Sequence, residues 1–147
     1  MSRFLMAIFV FLPVLATKVL ARDEVAGPVE AEILRIVDGD TLLVEARPWP
    51  QQRVEVYVRI RGIDAPEIRS KCQRIREAGA EARRMLEGMA QPSAKIQLTQ
   101  ISGDKYFGRI VADVALPDGS NVAENLRSAG VVRDYNGGRK PGKTCGS

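Results

Sequence analysis

The chain has 147 residues, 22 of them Lys or Arg, 18 Asp or Glu, two Cys and no His. The missing histidine removes the usual general base, the usual zinc ligand and both the Ser-His and Cys-His nucleophile systems, so chemistry must rest on carboxylates and guanidinium groups, with or without a metal. Two cysteines are too few for a four-thiolate site, the length suits one domain, and a net charge of +4 does not by itself argue for nucleic acid.

In chain order, Arg3 precedes an uncharged apolar run from Phe4 to Ala16, too short to span a bilayer comfortably, and Val19-Leu20-Ala21 offers small residues at −3 and −1. Residues 1–21 are therefore read as a signal peptide and 22–147 as one exported domain, periplasmic or secreted, with no membrane attachment after cleavage. A polar leader over 22–28 gives way to an apolar, β-branched run, Val29 to Val37. The Asp38-Gly39 turn and a further run from Thr41 to Ala46 predict a hairpin. Arg47 to Gln52 reads as a loop, with Trp49 as a lid on the core. Val54, Val56, Val58 and Ile60 alternate with Arg53, Glu55, Tyr57, Arg59 and Arg61, which predicts a strand with one buried and one polar face.

From Arg74 to Met89, Ile75, Ala78, Ala82, Met85, Leu86 and Met89 recur at helical spacing opposite charged residues, the mark of an amphipathic helix. Lys95 to Ile101 and Arg109 to Leu116 read as strands on either side of a turn at Ser102-Gly103-Asp104. A short helix follows, with Asn121 as N-cap, Glu124 as its box partner and Gly130 past its end. Five short strands with one helix after the third and another after the fifth predict a small α+β protein: a five-stranded barrel of OB-fold type with two to three α-helices.

Three short motifs lie on this frame: Asp38-Gly39-Asp40-Thr41, then Arg59 followed by Ile63-Asp64-Ala65-Pro66-Glu67, and Gly108-Arg109. Singly, each is an ordinary turn or surface pattern. Together, over about residues 29–136, their order and spacing resemble the staphylococcal nuclease (thermonuclease) family, as do Gly79-Ala80-Glu81-Ala82, Asn121-Val122-Ala123-Glu124 and Ala129-Gly130. The resemblance implies a calcium ion held by Asp40, Asp64 and the backbone carbonyl of Ala65, and a catalytic set of Arg59, Glu67 and Arg109. It also implies substrate contacts from Lys105, Tyr106 and Tyr135, on a nuclease that cuts DNA and RNA to fragments ending in 3′-phosphate.

Residue chemistry points the same way, since a hard cation takes carboxylate and carbonyl oxygens. Glu67 is the natural proton acceptor in a chain without histidine, and arginine forks suit phosphate oxygens. Asp104-Lys105-Tyr106-Phe107-Gly108-Arg109 is one residue longer than the common family run, so either Tyr106 or Phe107 takes the ring position near a base. The alternative is a catalytically silent OB-fold module that binds single-stranded nucleic acid. A silent module has no need to keep Asp40, Arg59, Asp64, Glu67 and Arg109 together. A calcium-binding structural domain would leave Arg59, Glu67 and Arg109 without a task. The expected partners are DNA and RNA substrates, with no stable protein partner and a monomeric chain. Export and an even cysteine count further predict a disulfide between Cys72 and Cys145.

Overall fold

The computed structural model describes residues 23–138 and Cys145. The segment read as a signal peptide lies outside the described residues, as does most of the tail. The elements run β1 (Glu24–Val25), β2 (Val29–Asp38), β3 (Thr41–Arg47), β4 (Val54–Ile60), β5 (Ile63–Asp64), α1 (Gln73–Ala90), β6 (Lys95–Gly103), β7 (Arg109–Ala115), α2 (Val122–Ser128) and β8 (Arg133–Asp134).

Strands β2, β3 and β4 form an antiparallel meander, β4 pairs with β7 in parallel, β7 with β6, and β6 returns to β2. The sheet is thereby a closed five-stranded barrel, and closure leaves no long unpaired edge among these strands. β6 pairs with β2, β7 and the short β1, and it bends to do so. Its register shifts between Thr99 and Ser102, where Gln100 has φ 50°, and Arg61 bridges the bend by donating to the Gln100 carbonyl, to Ser102 Oγ (2.9 Å) and to the Val111 carbonyl (3.2 Å).

The interior follows the alternation in the sequence. Leu42, Val44, Val58, Ile60, Leu98 and Val114 point inward from the strands, and Leu86 of α1 with Val122 and Leu126 of α2 close the barrel. Each such side chain contributes about 1.5–3 kcal/mol relative to exposure, so the barrel and its helices stabilise one another. α2 begins as expected, with Asn121 Oδ1 accepting the Glu124 N–H at 3.1 Å. On the outer face of α1, Arg83 pairs with Glu87 at 2.8 Å and Arg84 with Glu81, as a solvated face should.

Two expectations need correction. Trp49 is 63% exposed and lies beside Pro28 and Pro50 on a loop that stands beyond the barrel, so it lids nothing. The first residues of β4 are also outside the core: Val54 is exposed and Val56 half-buried, whereas Val58 and Ile60 are fully buried. The two-residue strands β1, β5 and β8 have no counterpart in the sequence reading, being too short for any periodicity.

Cys72, the N-cap residue of α1, is bonded to Cys145 with Cα atoms 5.6 Å apart, across a sequence separation of 73 residues. On the chain-entropy model, closing such a loop stabilises the fold by roughly 4 kcal/mol. Reduction, or Cys72→Ser, is therefore expected to lower the unfolding free energy by up to about that amount, read as a shift of the urea midpoint with unchanged slope.

Candidate active site

The turn between β2 and β3 is built by its own acids. Asp38 Oδ1 accepts the Asp40 N–H at 3.1 Å, and the Asp40 carbonyl accepts the Ile60 N–H at 2.9 Å, which fixes the turn against the end of β4. Gly39 makes this possible. A methyl there would lie 2.6 Å from Cβ of Ala82 in α1 and 2.9 Å from Cβ of Ala65, both closer than packed carbons allow. Gly39→Ala is expected to cost about 1–3 kcal/mol by overpacking, measured by thermal or urea unfolding, and to displace Asp40 from Ala65. Gly79 plays the same part for the loop after β5. A methyl on it would meet the Pro66 carbonyl at 2.6 Å and Ile68 Cγ2 at 3.0 Å, so α1 packs directly under the segment that carries Glu67.

Asp40 and Asp64 are buried, at 4% and 3% exposure, and burial of two carboxylates requires partners. Asp40 takes Thr41 Oγ1–H at 2.8 Å on Oδ1 and the Ala65 N–H at 2.8 Å on Oδ2. Arg59 stands between the two acids, 3.4 Å from Asp40 Oδ2 and 3.4 Å from Asp64 Oδ1, and also donates to the Ile63 carbonyl at 3.1 Å. Arg133 lies 3.6 Å from the other oxygen of Asp64. The register explains the grouping, because Thr41 pairs across with Arg59 and Asp64 with Arg133. Asp38 is pushed up to about 6, first by burial and then by the charge and hydrogen bonding of Asp40.

The second arginine arrives from the parallel neighbour. β4 and β7 pair Tyr57 with Arg109 and Arg59 with Val111, so Arg59 and Arg109 leave the sheet on one face, one alternate step apart. Arg109 Nε meets Asp104 Oδ2 at 2.5 Å, which leaves the terminal N–H pair of the guanidinium for a ligand. Burial works to raise the Asp104 carboxyl, but the hydrogen bonds from Arg109 and the Lys105 N–H outweigh it and lower it.

Both arginines open onto a cleft of about 670 Å³, lined also by Arg61, Lys105, Tyr106 and Tyr135. The Tyr106 ring lies 4.6 Å from the Arg109 guanidinium and 5.0 Å from Lys105 Nζ, while Tyr135 lies 5.2 Å from the Arg59 guanidinium. Of the two rings left open by the sequence, Tyr106 lines the cleft and Phe107 is fully exposed.

The structure thus gathers Arg59, Lys105, Tyr106, Arg109 and Tyr135 at one cleft, with Asp40, Asp64 and Ala65 behind Arg59. Glu67 sits apart from this lining, exposed on the loop after β5, its carbonyl accepting the Ser70 N–H at 3.2 Å. Asp104 and Arg133 were not singled out by the sequence. Asp104 read as a turn residue, and Arg133 lies in a strand too short to show a pattern.

The donor chemistry at Asp40 and Asp64 suits a hard cation, since the available ligands are oxygens without nitrogen or sulfur. Among the described residues no group of three or more His, Cys, Asp or Glu could hold a metal. A cation here would complete its shell from a backbone carbonyl, water and phosphate oxygens.

Barrel, paired acids and twin arginines on a cleft define an OB-type domain with a guanidinium-lined face. The family model for staphylococcal nuclease homologues matches residues 57–144, and the chain belongs to that family. It is 29% identical over 107 residues to an uncharacterized endonuclease of Escherichia coli, and 28% identical over 107 residues to an uncharacterized endonuclease of Escherichia coli O157:H7. Each match covers 73% of this chain and 61% of the relative, so the chain spans about three fifths of the length of these relatives.

Proposed function

We propose that this domain is a calcium-dependent nuclease that hydrolyses phosphodiester bonds in DNA and RNA, cutting on the 5′-oxygen side to leave 3′-phosphate ends. The observation that carries the reading is the pair of guanidinium groups, Arg59 and Arg109, on one face of adjacent parallel strands, opening on a cleft with cationic and aromatic walls. Such forks match phosphate oxygens in pairs, and Tyr106 and Tyr135 offer faces on which bases can stack. Family membership and the two endonuclease-named relatives support the same reading.

Asp40, Asp64 and the Ala65 carbonyl would hold the calcium. Bound calcium supplies charge neutralisation beside the phosphodiester and eases ionisation of an attacking water. Glu67 accepts the proton of that water, and Arg59 and Arg109 stabilise the charge that grows on the phosphoryl oxygens. Lys105 draws the chain into the cleft. The Cys72–Cys145 bridge and the apolar run near the N-terminus support work outside the cytoplasm. Among the described residues, no helix is long and apolar enough to cross a membrane.

The deciding experiment incubates the disulfide-bonded domain with plasmid, single-stranded DNA and RNA, with calcium or with chelator, and maps the ends of the products. Calcium-dependent fragments with 3′-phosphates support the reading. Binding without cutting would instead make the barrel a silent nucleic-acid module.

A further inference from the structure

Arg127 belongs to the last turn of α2 and takes no part in the chemistry proposed above, yet it reaches across 65 residues of sequence. Its Nη2 donates to the Gly62 carbonyl at 3.1 Å. Its Nε stands 2.7 Å from Asp134 Oδ1 as an ion pair rather than an aligned hydrogen bond, for this buried atom makes none. Gly62 makes the turn between β4 and β5 at φ 80°, a backbone shape that suits glycine, and a methyl on it would come within 2.6 Å of Arg127 Nη2. The same Gly62 carbonyl accepts the Tyr135 N–H at 2.9 Å. One guanidinium therefore ties the turn that follows Arg59 to the strand that precedes Tyr135.

That tie reinforces a short ladder on this side of the cleft, beside the Tyr135 N–H bond to the Gly62 carbonyl and the Arg133–Asp64 pair. β5 and β8 are two residues each, and a ladder so short is not stable by itself. Yet their register sets Arg133 opposite Asp64 and delivers Tyr135 to the Arg59 guanidinium. Loosening β8 from the Gly62 turn would move the aromatic wall and the partner of Asp64 together.

We propose that Arg127 is a positioning residue for the cleft. By clamping Gly62 and Asp134 to one another it fixes Tyr135 against Arg59, and so sets the affinity for a nucleic-acid chain. The inference rests on the nucleic-acid reading of the cleft. It goes beyond that reading by making substrate affinity depend on a side chain that lines no part of the site.

The test uses Arg127→Ala and Asp134→Asn in the disulfide-bonded protein, each also combined with Tyr135→Ala. kcat and KM are measured on single-stranded DNA with calcium, at a temperature where circular dichroism shows every variant folded. Asp134 is largely exposed, so its substitution leaves the core untouched even if Arg127→Ala weakens the fold. Loss of one well-placed contact acting through Tyr135 is expected to raise KM by on the order of tenfold in Arg127→Ala and about threefold in Asp134→Asn, with kcat changed less. In the Tyr135→Ala background the same substitutions are expected to change KM by less than about twofold, because the side chain they position is gone. Unchanged KM in both folded single variants overturns the clamp, as does a full effect that persists without the Tyr135 ring. A wild-type protein that neither binds nor cuts overturns the nuclease reading together with the clamp, an outcome distinct from silent variants of an active enzyme.

Discussion

Glu67→Gln and Arg109→Ala are each expected to slow cleavage by on the order of a hundredfold or more while leaving the fold intact, and Arg59→Ala to slow it as far and destabilise the protein as well. The difference comes from where the side chains stand. Glu67 is exposed on its loop, and Arg109 is half-buried with Asp104 as its ion partner. Arg59 has only 12% of its side chain exposed and is the guanidinium between two buried carboxylates. Its removal leaves Asp40 and Asp64 facing one another with less compensation, and breaking a buried charge set by deleting one partner commonly costs about 3–5 kcal/mol. Arg59→Lys separates the two effects, since it keeps the charge and loses the fork. Rates on single-stranded DNA, taken at a temperature where circular dichroism shows each variant folded, check the first claim and urea midpoints the second. Combined substitutions are expected to fall well short of the product of the single losses, because the groups act on one transition state. Near wild-type rates in all three variants would place the chemistry elsewhere.

The barrel was legible because its signal is periodic. Val58 and Ile60 alternate with Arg59, and Ala82 and Leu86 recur at helical spacing, so strand and helix each declare the face they bury. The Asn121 cap was legible for a different reason, namely that a short polar side chain three residues before Glu124 has one favoured use. What escaped was whatever depends on a long-range meeting. Arg133 reaches Asp64, and Arg127 reaches Gly62 and Asp134, only because β5 pairs with β8, and two-residue strands leave no trace in composition. Trp49 escaped for the opposite reason, since loop position alone cannot tell whether a ring folds back on the core or stands beyond it. The sequence singled out the residues that meet at the cleft, Arg59, Lys105, Tyr106, Arg109 and Tyr135, but it could not say that Arg59 is held between both acids, nor that Tyr106 rather than Phe107 faces the cleft.

Chelation is expected to abolish cutting, and calcium to restore it. In the proposed reaction a phosphodiester would lie beside the two buried carboxylates of Asp40 and Asp64, which have Asp38 close behind at the turn and Arg59 as the cation between them. A phosphate brings a further negative charge, and in a partly desolvated site that repulsion is far larger than in water. Arg59 is already engaged by both acids, so it cannot both neutralise them and meet the phosphate until another cation takes its place. Magnesium is expected to support less turnover, because it demands a stricter octahedral shell than two carboxylates, a carbonyl and water need provide. Binding has a readout apart from catalysis. A cation that binds the folded state alone raises stability by RT ln(1 + [L]/Kd), about 2.7 kcal/mol at a hundredfold excess over Kd. The urea midpoint of the substrate-free protein should therefore rise with calcium, and this rise should vanish in Asp40→Asn and Asp64→Asn. Robust cutting in excess EDTA would remove the metal from the mechanism, and a midpoint indifferent to calcium in the wild type would remove it from these carboxylates.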